Sequence, residues 1–139
     1  MKEEVIEALR TALTEAQETG RIFAEDLDTL LIQLDVPPEK RLQAHTDLEE
    51  HRIRVVPQSA AEKEQLRAEL EACAHMMTER ELVLLKLRYG LDGPSYTIAE
   101  AAAHFHVIPD RIRQQEAKAC RALRAWRHRQ KAEEQGEIV

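Results

Sequence analysis

Thr97-Ile98-Ala99-Glu100-Ala101-Ala102-Ala103-His104-Phe105-His106-Val107-Ile108-Pro109-Asp110-Arg111-Ile112-Arg113-Gln114-Gln115-Glu116-Ala117-Lys118-Ala119-Cys120-Arg121-Ala122-Leu123-Arg124 is the stretch whose reading decides the fold. Thr97 and Glu100 have the spacing of a capping box, in which hydroxyl and carboxylate each satisfy an orphan N–H of a helix start. The helix that follows is short and ends near His104-Phe105-His106. Pro109 is tolerated only in a first helical turn, so a second helix starts there and runs on through the basic residues. A short helix, a tight turn and a longer basic helix make a helix-turn-helix, the motif whose second helix enters a DNA major groove.

The second helix has two faces. At 100° per residue, Ile112, Glu116, Ala119, Leu123 and Trp126 fall together, and Glu116 is their only charge. Opposite lie Asp110, Gln114, Lys118 and Arg121, with Arg113 and Arg124 at the edge. Arginine suits guanine O6 and N7, and glutamine suits adenine N6 and N7. Residues 104–131 carry eight basic residues against two acids, a local +6 that would supply a salt-dependent grip on phosphates. The plainer reading of the same residues is a solvated basic helix in an ordinary bundle.

Outward from this motif the chain stays helical. Ser59-x-x-Glu62 and Thr78-x-x-Glu81 are two further capping boxes. The helix from Ser59 gathers Leu66, Leu70, Cys73 and Met77 on one face. The helix from Thr78 is apolar almost all round and ends at the turn Tyr89-Gly90-Leu91-Asp92-Gly93-Pro94. Before Pro57, Val5, Leu9, Ala12, Leu13 and Ala16 mark a first helix stopping at Thr19-Gly20. Two more helices fit Glu25–Leu34 and Glu39–Glu50, and Ile53, Val55 and Val56 read as a short extended piece. The expected fold is all-α: an N-terminal three-helix domain with that extended piece (1–57), a linker helix (58–77), a helix-turn-helix domain (78–129) and a fraying polar tail (130–139).

Composition narrows the function. The 139 residues carry a net −6, and 43% are hydrophobic, so wholesale disorder is excluded. No apolar run reaches the ~20 residues that span a bilayer, so no membrane partner is expected. The N-terminus is acidic and lacks an apolar signal core, and Cys73 and Cys120 stand alone; both suit a cytoplasmic setting. No Gly-rich phosphate loop is present. The acid is concentrated at the front, where residues 1–59 hold thirteen acids against seven basic residues. An acidic front and a basic rear lead to a further expectation, that residues 1–57 fold back on the basic helix and weaken its hold on DNA. No nucleophile, base and orienter assemble, so an enzyme and a cofactor are not expected. The pairs Cys73-x-His75 and His104-x-His106 match no common zinc spacing, so no metal is expected.

Met77-Thr78-Glu79-Arg80-Glu81, Leu85-Lys86-Leu87-Arg88-Tyr89-Gly90-Leu91-Asp92, Tyr96-Thr97-Ile98-Ala99-Glu100 and Asp110-Arg111-Ile112-Arg113-Gln114-Gln115-Glu116-Ala117-Lys118-Ala119 together closely resemble region 4 of bacterial sigma-70-type transcription factors, over about 47 residues. The resemblance implies a domain that reads the −35 promoter element and grips the β flap of RNA polymerase. It implies base reading by Arg113 and Gln114, and phosphate or positioning contacts by Thr97, Lys86 and Arg88. Arg111 joins the DNA-facing set, and Lys118 and Arg121 fall at activator or upstream-backbone positions. Leu82, Leu85 and Leu87 would build the core and part of the flap-binding groove. The chain departs from the family at Ile108-Pro109-Asp110, where a capping threonine and a base-contacting arginine are lost, and at Gln115, which replaces an apolar residue.

Gly20-Arg21-Ile22-Phe23-Ala24-Glu25-Asp26-Leu27, followed by Leu48-Glu49-Glu50-His51-Arg52-Ile53-Arg54-Val55-Val56, more weakly resembles region 1.1 of primary sigma factors. That resemblance implies an acidic domain able to occupy the polymerase DNA channel. The promoter-melting aromatics of region 2 are not matched. The expected function is therefore a small sigma-like transcription regulator, nucleoid-associated and unable to melt promoters alone. Its partners would be the RNA polymerase core, promoter DNA, and a partner sigma subunit or an activator. The alternative is a sigma mimic or anti-sigma-like protein that inhibits or redirects polymerase without reading sequence.

Overall fold

The structure is a computed structural model and describes residues 2–134 and 136. Helix α1 (Lys2–Thr19) places Leu9, Ala12, Leu13 and the buried Ala16 on one face, as its periodicity predicts. It stops at Gly20, whose N–H reaches the Ala16 carbonyl at 2.7 Å and whose φ is +77°. A strand follows at once. Strand β1 (Arg21–Phe23) pairs in parallel with β2 (Arg54–Val56), in the register Arg21 to Arg54, Ile22 to Val55 and Phe23 to Val56. Parallel strands need a long crossover. Here α2 (Ala24–Gln33) and α3 (Pro38–Glu50) supply it. The predicted single extended piece is thus one half of a ladder; three residues are too few to show an alternating pattern before their partner is known.

The rear half comprises α4 (Ala60–Ala72), a 3-10 turn at Ala74–Met76, α5 (Glu79–Arg88), α6 (Ile98–Phe105) and α7 (Pro109–Glu134). The three capping hydroxyls act as predicted: Ser59, Thr78 and Thr97 accept from the N–H groups of Glu62, Glu81 and Glu100. At Thr78 and Thr97 the glutamate also accepts from the cap's own N–H, so both halves of the box form. His106 takes a left-handed conformation, φ +58°, and ends α6 at the motif's turn.

The structure adds detail at two segments. Residues 58–77, expected as a linker helix, join the rear core: Leu66, Leu70 and Cys73 are buried and pack against Leu85, Tyr89, Leu91, Ala119, Cys120 and Leu123. The tail from Gln130 is also shorter than expected, since α7 continues to Glu134; residues 135 and 137–139 lie outside the described residues. A second core, of Leu84, Ile98, Ala101, Ala102 and Ile112, holds α5, α6 and α7 together. A third fills the front unit around Leu27, Leu31, Ile53 and Val55.

A buried polar joint connects front to rear. The Arg88 guanidinium donates to Glu116 Oε1 at 2.7 Å, to the Tyr96 carbonyl at 2.7 Å and to the Gly20 carbonyl at 2.6 Å. Arg54, from β2, donates to Cys120 Sγ at 2.6 Å and to the Glu49 carbonyl at 2.6 Å, and lies 3.7 Å from Glu116. Tyr89 donates to Glu49 at 2.8 Å, and Arg21 to Ser95 at 2.8 Å. Gly20 sits so close that a Cβ there would stand 2.5 Å from Ile98 and 2.7 Å from Arg88. Only glycine combines this approach with the positive φ.

Candidate nucleic-acid interface

The face of α7 turned to the core carries Ile112, Glu116, Ala119 and Leu123, all buried, with Trp126 half-buried against the same core. The opposite face presents Arg111, Gln114, Lys118 and Arg121 to solvent. These are the predicted DNA-facing residues. No carboxylate among the described residues pairs with these three cations. Arg113 stands at the edge, 39% exposed, and donates to Asp110 at 2.8 Å. Pro109 opens the helix, and Asp110 occupies its first turn, where a carboxylate suits the helix dipole. The Pro109-Asp110 start of α7 thus places an acid against Arg113, the arginine expected to read bases.

The remaining predicted contacts divide. Lys86 is half-buried at the end of α5 and keeps its ammonium available. Thr97 uses its hydroxyl as a cap acceptor and its N–H on Glu100, leaving only its O–H to offer. Those hydrogen bonds from Thr97 also hold the Glu100 carboxyl below its usual range. Arg88 is a correction: it is fully buried and its donors are committed to Glu116, Tyr96 and Gly20, so it is closed to phosphate in this structure. A helix wheel cannot anticipate this, because the front unit provides the covering carbonyl. Leu85 is likewise closed to a partner, with no exposure, and Leu82 packs on the α4–α5–α7 core. Of the three predicted polymerase-binding leucines, Leu87 alone lines an open groove, of about 310 Å³, together with Val83, Gly90, Pro94 and Tyr96.

The front unit does fold back, but onto the inner side of α7. Arg54 reaches Cys120 and Glu116 there, while Gln114, Lys118 and Arg121 stay exposed. Direct screening of the outward face by the acidic front is therefore ruled out for this arrangement. Burial pushes the Cys120 thiol up to about 12, and burial followed by the Glu49 charge raises Tyr89 well above its ordinary value. Both groups stay protonated inside the joint. Sequence reasoning missed Arg54, Glu49 and Tyr89 as a cluster. Two signals were present: an arginine set between Ile53 and Val55, and Glu116 alone on an apolar face. Gln115, flagged as replacing an apolar residue, has its side-chain oxygen buried without a hydrogen-bond partner.

Among the described residues no three His, Cys, Asp or Glu side chains converge as a metal site requires. His104 instead stacks edge-on against Tyr96 and Phe105. No described helix is long and apolar enough to cross a membrane.

A helix-turn-helix with a cationic outward face is a class shared by many DNA-binding proteins. Residues 75–125 match the family model described as Sigma-70, region 4. The chain is similar to RNA polymerase sigma factor SigA of a Bacillus species, 35% identical over 124 residues, covering 88% of this chain and 32% of the relative. It is 38% identical over 95 residues to SigA of Listeria monocytogenes, covering 67% of this chain and 25% of that one. With SigA of a Nostoc species it shares 45% over 69 residues, 49% of this chain and 18% of the relative. The chain thus spans about a third or less of these relatives. The family model begins at residue 75, and the region 1.1 resemblance of the front unit is not confirmed by these matches. No solved structure matches the chain.

Proposed function

We propose that the protein is a small sigma-like transcription regulator that binds promoter DNA of the −35 type through α6 and α7 and the β flap of RNA polymerase through the groove at Val83, Leu87 and Tyr96. The observation that carries this reading is the outward row Arg111, Gln114, Lys118 and Arg121, with Arg113 at its edge, on a helix whose other face is core. Cations in such a row would neutralise phosphates, and Arg113 and Gln114 would meet base edges. Arg88 acts as an internal strut in this reading. The five aromatics stand apart along the chain, so its own residues offer no clustered platform for strand separation. A partner sigma subunit supplying that step, or an activator meeting Lys118 and Arg121, would complete the function. The setting is the cytoplasm, at the nucleoid. The front unit remains a candidate region 1.1-like module for the polymerase channel, supported by its surplus of acid.

The second reading is a sigma mimic that engages polymerase without reading sequence. The bond from Arg113 to Asp110 favours it, because the arginine must leave a carboxylate to reach a base. Titrating a labelled −35-type duplex with wild type and Gln114→Ala, beside a pull-down on purified β flap, separates the two. Flap retention with a sequence-independent, mutation-insensitive affinity for duplex selects the mimic. Failure of both assays overturns the function as proposed.

A further inference from the structure

Arginines around the junction of front and rear are spent on carboxylates. Arg54 and Arg88 share Glu116, Arg67 meets Asp92, and Arg127 meets Glu69. Arg21 is different. Its Nη1 donates to the neutral Ser95 hydroxyl at 2.8 Å, and its guanidinium carbon lies 4.9 Å from the centre of the Phe23 ring. Among the described residues Arg21 makes no ion pair, and its Nε is buried without a hydrogen-bond partner. Glu100 feels the Arg21 charge, but its carboxylate is held by Thr97. An arginine fixed by a hydroxyl and an aromatic face keeps its full charge in a set direction.

Arg21 lines a pocket of about 220 Å³ to which three parts of the chain contribute. The front unit supplies Arg21, Phe23 and Pro57, α4 supplies Lys63, and the loop from α5 to α6 supplies Pro94 and Ser95. Lys63 is half-buried and, like Arg21, has no carboxylate partner among the described residues. The loop wall is fixed from both sides, since Arg67 donates to the Leu91 carbonyl at 2.6 Å while Arg21 holds Ser95. Two cations lining one small pocket repel each other, and an anion between them turns that cost into attraction. We propose that this pocket binds a small phosphate ester, its phosphate between Arg21 and Lys63 and its organic part against Phe23, Pro57 and Pro94. Size and charge choose the class. The volume falls below the ~300 Å³ at which drug-sized ligands begin to fit. A phosphate monoester carries about −1.5 to −2 near neutral pH, which matches two cations. Because the walls come from both halves, an occupied pocket fastens the front unit to the rear.

The test is titration of the full-length protein with phenyl phosphate, beside inorganic phosphate and sodium chloride at matched ionic strength. Binding is read as a rise in Tm, which any ligand of the folded state produces, and as phosphorus NMR line broadening. Phenyl phosphate should bind more tightly than inorganic phosphate and raise Tm where chloride does not. Lys63→Gln should weaken its binding about tenfold through loss of one charge-assisted contact, and Lys63→Arg should retain it. Arg21→Gln should weaken binding as well, and line width reads this whatever the variant's own Tm. Lys40→Gln, at an exposed position on α3, should change nothing. Equal binding of inorganic and phenyl phosphate overturns the ester as the ligand. Wild-type affinity in both Lys63→Gln and Arg21→Gln, or an equal rise in Tm with chloride, overturns the site. None of these outcomes depends on duplex binding.

Discussion

On the inner face of α7, Glu116 is 2% exposed and tied to arginines from two other parts of the chain. Two residues away along the same helix, Gln114 and Lys118 stand in solvent with no partner among the described residues. The inner charges are consumed in joining front to rear, and the outer ones stay exposed to solvent. The difference follows from burial. A charge taken out of water is costly unless it is paired and hydrogen-bonded, so every inner ion has acquired a partner; an outer cation needs none. Residues of identical type therefore separate by position: Arg88 and Arg54 are structural, Arg111 and Arg121 are available.

Breaking the inner face should have the largest effect. Glu116→Leu leaves the Arg88 guanidinium buried without its carboxylate, and removing one member of a buried pair costs about 3–5 kcal/mol. Urea unfolding should show that loss; a cost below about 1 kcal/mol would mean that Arg88 finds water instead. Arg54→Met should cost less, about 1–3 kcal/mol for a charged hydrogen-bonding group, because Glu49 retains Tyr89 and the Val55 N–H. In that variant Cys120 should react with a thiol reagent faster than Cys73, since both line the rear core but Arg54 bonds to Cys120. Equal acceleration of both would show that the joint and the rear core open together.

The outer face should give the opposite pattern. Arg113→Ala is expected to change stability by no more than about 0.5 kcal/mol, as surface substitutions do, while lowering duplex affinity. Comparable losses in both would make Arg113 structural. The smallest effect concerns pH. Cys120 holds its proton to about 12 in the folded chain, whereas an unfolded cysteine ionises near ~8.5. The unfolded state therefore loses a proton first, and stability should fall as pH rises above about 8.5 toward 12. Cys120→Ala should show a shallower decline in Tm between pH 8 and 10.5 than wild type.

Element starts were legible wherever the signal was local. Ser59, Thr78 and Thr97 each mark a helix start because a cap acts within three residues. The two faces of α7 followed from periodicity, and with them Gln114, Lys118 and Arg121 as outward residues. What lay beyond reach depended on residues far apart in the chain. Strand β1 exists because β2 lies alongside it, thirty-three positions on. Arg88 is interior because Gly20 comes to it, and α4 is a wall of the rear core because its leucines meet α5 and α7. The extension of α7 past Gln130 belongs here too, since Trp126 and Arg127 hold it against α4.

By itself, the sequence determined a helical chain, a helix-turn-helix and a cationic outward row, because caps, proline and the 3.6-residue period act over a few neighbours. The tertiary structure alone decided which charges remain free to meet a partner. Burial depends on what packs on top, and here the covering groups, the Gly20 carbonyl and the Arg54 side chain, come from the acidic front unit.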